Sequence, residues 1–168
     1  MSFYPMAYNT WQRVLASCHA TISLLLVFVV LTAGACKKDP DWLVKLSQII
    51  DSINKDLETI APSLAEDATP QQVFVGLTRL DKMMDRVIID LRTFFQNYPE
   101  AWKNTKLIEK RLSKELFRLR KNMRQIVTAG SAWHEKLKHR KEFTDLTSRI
   151  VKKIQESDKV TRKYQPEE

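Results

Sequence analysis

Apolar residues return along this chain at alternating steps of three and four. Leu43, Leu46, Ile50, Ile53, Leu57 and Ile60 form one such seam, the pattern of an amphipathic helix packed along one stripe. Asp39-Pro40-Asp41 reads as its start, with an Asp cap, proline in the first turn and an acid at the positive dipole end; Pro62 marks its end. Thr69-Pro70-Gln71-Gln72 is the capping-box opening of a second helix, whose seam is Val73, Leu77, Leu80, Met84, Val87, Leu91 and Phe94. Phe74, Ile88 and Phe95 widen that stripe, and Asn97-Tyr98-Pro99 closes it. A third helix is expected from about Thr105 to Ala129, carrying Ile108, Leu112, Leu116, Leu119, Met123 and Ile126, with Gly130 as a left-handed C-terminal cap. Ser131 then caps a fourth, with Trp133, Leu137, Phe143, Leu146, Ile150 and Ile154. From Ser157 onward the residues turn polar, as in a frayed tail.

These seams predict an all-α protein: an antiparallel bundle of about four helices, roughly 35–40 Å long, following an N-terminal apolar signal or anchor helix. A heptad seam also suits an intermolecular coiled coil, so a helical hairpin that dimerises is the competing architecture. Proline and glycine breaks between the seams favour folding within one chain. The expected divisions are 1–35 signal or anchor, 36–39 a short tether, 40–157 the bundle and 158–168 the tail. The sequence leaves the oligomeric state open.

Ahead of the bundle lies a different pattern. Ile22 to Ala35 carries no charge, follows the single basic residue Arg13, and ends in Ala33-Gly34-Ala35. That is the order of a secretory signal. Cys36 comes next, and small residues before a cysteine at the end of an apolar run resemble the lipobox of bacterial lipoproteins. Ala33 stands where that family usually has Leu. The resemblance covers positions 13 to 36 and implies cleavage before Cys36, with covalent lipid on its thiol. It places the protein in the bacterial cell envelope, facing the periplasm. Lys37 at the second mature position favours the outer membrane over the inner by that family's sorting pattern. Two or more acyl chains anchor stably, at about 0.8 kcal/mol per buried methylene. Leu15-Ala16-Ser17-Cys18 fits the same letters, but no apolar run precedes Cys18. Two alternatives stand beside the lipoprotein. Val14 to Ala35, about 33 Å as a helix, is long enough to remain as a single membrane span before a helical regulatory or coiled-coil domain. Cleavage after Ala35 without lipid would release a soluble exported protein.

Charge changes the picture of the bundle. The chain carries a net +8, split so that 39–102 holds 6 basic and 11 acidic residues, and 103–168 holds 19 and 9. Arg111, Lys114, Arg118 and Lys121 follow 3, 4, 3 spacing on the third helix and form a candidate site for an anionic lipid, an anionic wall polymer or an acidic protein. Lys136, Lys138, Arg140, Lys141, Lys152 and Lys153 continue the basic character on the fourth helix. The plain alternative is that these cations solvate the bundle or complement the acidic first two helices. Nucleic acid is electrostatically allowed, but it conflicts with export and no recognition fold is present.

Candidate chemistry is sparse. The only cysteines are Cys18 and Cys36, so the bundle holds no disulfide or thiolate site. His134 and His139 lack the i, i+4 spacing of a metal pair. No phosphate loop or nucleophile elbow occurs. The expectation is a non-enzymatic, lipid-anchored binding or scaffold module with no cofactor.

Overall fold

The computed structural model describes residues 39–164. They form four helices: α1 (Asp41–Ile60), α2 (Pro70–Asn97), α3 (Thr105–Leu137) and α4 (Lys141–Lys163). No strand occurs among the described residues. The all-α bundle expected from the seams is therefore present. Leu43, Leu46, Ile50, Leu57 and Ile60 are buried on α1, and Val73, Leu77, Leu80, Met84, Val87 and Phe94 on α2.

Local chemistry marks the starts of α1 and α2. Pro40 serves as the cap of α1, one residue later than the Asp39 cap expected, and Asp41 supplies the first-turn acid. At α2 the capping box forms in full. The Gln72 backbone N–H donates to Thr69 Oγ1, and the Thr69 N–H donates to Gln72 Oε1 at 2.7 Å.

One boundary differs. Gly130 does not end the third helix, which continues to Leu137. Ser131, expected to cap a fourth helix, lies inside α3 and donates to the Val127 carbonyl at 3.0 Å. The added turns bury Trp133 and Leu137, and the Trp133 indole N–H donates to the carbonyls of Leu64 and Ala65. Burying those two large side chains is worth more than the ~1 kcal/mol that a glycine costs mid-helix. The chain turns at Lys138–Arg140 instead. The far end differs too, because α4 runs through the polar stretch after Ser157 and buries Val160 and Thr161. Tyr164 stacks on Phe95 at 5.7 Å.

Successive helices alternate in direction, yet the most extensive packing joins α2 to α4 and α1 to α3, which run parallel. Partner numbers climb together within each pair. Phe74 meets Phe143 and Phe95 meets Tyr164; Asp39 meets Arg111 and Asn54 meets Asn122. The helices α3 and α4 approach each other far less closely. Because α2 and α3 are not close neighbours either, the 3-10 segment Pro99–Asn104 carries the chain across one end of the bundle. There Ala101 and Trp102 join Trp42, Leu43, Phe94 and Phe95 in one apolar cluster. A second cluster fills the opposite end around Leu57, Leu64, Val73 and Phe143. At that end Gly76 lets the segment after α1 lie close, since a Cβ there would fall 2.8 Å from Ser63 Cβ.

Candidate functional site

Between Lys106 and Arg124 the sequence places eight basic residues and two acids, so α3 must dispose of a large positive charge. Part of it is spent on α1. Arg118 forms a two-pronged pair with Glu58 and lies 3.5 Å from Asp51, and Arg111 pairs with Asp39 at 3.2 Å. The guanidinium beside Glu58 holds that carboxyl below its usual range. Arg111 and Arg118 thus lie along the seam with α1, while Lys114 and Lys121 from the same expected group are exposed to solvent.

What remains is a narrower stripe. Lys110, Lys114, Phe117, Lys121 and Arg124 follow 4, 3, 4, 3 spacing, and all five are exposed. Among the described residues none of the four cations makes an ion pair or hydrogen bond. Neither acid of this stretch, Glu109 or Glu115, shares the spacing. At the centre is Phe117, 67 % exposed and the most exposed large apolar residue described. Phe117 thus puts one exposed apolar ring among the four cations.

Beneath it is a buried polar contact that fixes the register of α3 on α1. Asn122 Nδ2 donates to Asn54 Oδ1 at 3.0 Å, and Asn54 Nδ2 donates to the Glu115 carbonyl at 3.1 Å. Asn54 is fully buried. A single asparagine in an apolar seam costs stability but specifies alignment, because a shifted helix would leave its amide unsatisfied.

The other sequence candidates fall in less informative places. Cys36, the Ala33-Gly34-Ala35 segment and Cys18 lie outside the described residues. Trp42, Trp102 and Trp133 are buried in the core. His134 is half-buried on α3 with its ring 6.1 Å from Phe143, and burial lowers its pKa; His139 is exposed in the following turn. No group of three or more His, Cys, Asp or Glu able to hold a metal occurs among the described residues. No described helix is long and apolar enough to cross a membrane.

Lys110, Phe117 and Arg124 escaped the sequence reading, which followed the 111–114–118–121 line. The signal was present, since Phe117 interrupts a basic run off the apolar seam. Asn54 was legible as well, standing four residues after Ile50 and three before Leu57. Comparison with known proteins finds no matching family model, no similar curated protein and no similar solved structure.

Proposed function

We propose that this chain is a non-enzymatic, lipid-anchored protein of the bacterial envelope whose bundle lies against an anionic membrane along α3. The observation that carries the reading is the exposed Lys110–Lys114–Phe117–Lys121–Arg124 stripe. Each Lys or Arg near an anionic surface contributes about 1 kcal/mol, so four together add roughly 4 kcal/mol at low screening. Phe117 supplies an apolar contact at headgroup depth, the role large aromatics play on interfacial helices.

The stripe is the weaker of two membrane contacts. Lipid on Cys36, expected from the lipobox, would raise the local concentration of the bundle at the bilayer, and the stripe would then set which face points down. The short tether from Cys36 to Asp39 limits how far the bundle can stand away. Lys37 and Lys38 extend the same positive charge toward the headgroups, and Lys37 keeps the outer membrane favoured.

Two measurements test this. Labelled palmitate enters the wild type and fails to enter Cys36→Ser; incorporation unaffected by that change rejects the lipid anchor. Replacing Lys110, Lys114, Lys121 and Arg124 with Gln in the Cys36→Ser background weakens co-flotation with phosphatidylglycerol vesicles, and the difference shrinks as salt rises. Equal flotation of both forms rejects the stripe as a membrane contact. A retained Val14–Ala35 span is separated from both by the intact mass, which would then include residues 1–35.

A further inference from the structure

The path of α3 breaks early. Leu112 has non-helical angles, φ −108° and ψ 19°, which set Thr105–Arg111 apart from the rest of the helix. No proline or glycine lies between Pro99 and Gly130 to force that break. The chain also turns sharply at Tyr98, with φ −134° and ψ 61°. Pro99–Arg111 is therefore a unit between two joints. It is a 3-10 segment followed by about two turns of helix, laid across the end of the bundle at which α1 begins.

Apolar contact holds this unit down. Ala101, Trp102 and Ile108 are buried, and Trp102 stacks on Phe95 with ring centres 5.0 Å apart. Its buried polar atoms are not matched in the same way. The Trp102 indole N–H and both carboxylate oxygens of Glu109 have no hydrogen-bond partner among the described residues. Burial raises the Glu109 pKa above its ordinary value, against the pull of Arg120. An unpaired buried polar group opposes burial, so the docked position is disfavoured at two places in one short unit. The ion pair of Arg111 with Asp39 is nearly half exposed at both ends and correspondingly weak. Lys103, Lys106, Lys110 and Arg111 are exposed, whereas Trp102 and Ile108 are turned inward. Cations on one side of a short segment and a tryptophan on the other suit a membrane interface.

We infer that Pro99–Arg111 is a hinged membrane wedge: on an anionic bilayer it swings out about Tyr98 and Leu112 and places Trp102 and Ile108 among the headgroups. This deepens the docking of α3 and rests on that reading, because Lys110 belongs to both the stripe and the wedge. Lipid phosphates compete with Asp39 for the Arg111 guanidinium and so release the tie nearest Cys36. Outside the bundle the Trp102 N–H and the Glu109 carboxylate regain partners in water and headgroups, which offsets the apolar contacts left behind.

The test uses the full chain in a Cys18→Ser/Cys36→Ser background, with nitroxides at Lys103→Cys on the wedge and Ser148→Cys on α4. Gln125→Cys with Ser148→Cys is a second pair that leaves the wedge out. On phosphatidylglycerol vesicles the first distance should shift by about 5 Å or more, roughly half the length of the Thr105–Arg111 helix at about 1.5 Å per residue. The second should keep its solution value, and neither should move with phosphatidylcholine. Glu109→Leu removes the unpaired carboxylate and adds one positive charge. It should hold the wedge down, slowing hydrogen exchange at residues 105–111 in solution roughly five- to hundredfold, the weight of one unpaired buried group. The vesicle-induced shift should shrink in that variant, whereas a contact made by charge alone would leave it equal or larger. Flotation with phosphatidylglycerol at an unchanged first distance overturns the wedge and leaves the docking face standing. A shift in both pairs, or a shift undiminished by Glu109→Leu, overturns it as well. Failure to float overturns the docking reading, and the wedge with it.

Discussion

The two parallel helix pairs carry the same net charge and differ in how their cations are paired across the contact. Between α2 and α4 every cross-helix cation meets an acid: Lys153 reaches Asp81 and Asp85, Arg149 faces Asp81, and Arg92 meets Glu156. Between α1 and α3 the ion pairs run from Asp39, Asp51 and Glu58 to Arg111 and Arg118. Lys110, Lys114, Lys121 and Arg124 are left over, around an exposed phenylalanine. The α2–α4 pair spends Arg92, Arg149 and Lys153 across the contact, while Lys141, Lys152 and Lys159 stay exposed on α4. The other is held in register by buried asparagines and presents a surplus outward.

The difference can be broken from either side. The largest effect belongs to α2–α4, where Phe143 is fully buried against Phe74; Phe143→Ala should cost about 3–5 kcal/mol in urea unfolding. Next comes the α1–α3 contact. Asn122→Ala strands the Asn54 amide oxygen and should cost about 1–3 kcal/mol, whereas the double Asn54→Leu/Asn122→Leu should cost less than the single change. A full cost from the double variant would argue against a register role.

A smaller effect separates the pairs by pH. Glu58 is lowered below 4.5 chiefly by its hydrogen bond to Arg118. Its contribution is present above that value and is lost as pH falls through the folded pKa. Burial alone would lower Lys153, but Asp81 and Asp85 outweigh it and raise the pKa above 10.5. That contribution is complete below 10.5 and is lost as pH rises through the folded value. Acid should therefore loosen α1–α3 and alkali α2–α4. Glu58→Gln should flatten only the acid side of the stability profile and Lys153→Gln only the alkaline side, both read from thermal midpoints.

The seams were readable because burial on a helix demands the three-and-four spacing whatever the partner. Which helix each seam would meet was not readable, and much follows from that. Arg111 and Arg118 look equivalent to Lys114 and Lys121 along the chain; only the position of α1 shows that the arginines are taken. Gly130 carried a true local signal for a helix end, overridden by the burial of Trp133 and Leu137 beyond it. The polar stretch after Ser157 misled for a related reason, since Thr161 hides its hydroxyl on a helix carbonyl and Tyr164 finds Phe95 across the bundle.

The most direct test of an α3 face turned toward the bilayer compares two exposed apolar positions in the full chain. Phe117 on α3 stands among cations, whereas Ile89 on α2, 59 % exposed, stands among charges of both signs. Each is replaced by cysteine in a Cys18→Ser/Cys36→Ser background, given a fluorescent label, and bound to phosphatidylglycerol vesicles carrying a lipid-phase quencher. Strong quenching at position 117 with little at 89 is the predicted result. Equal quenching at the two positions, or none at 117, would contradict it.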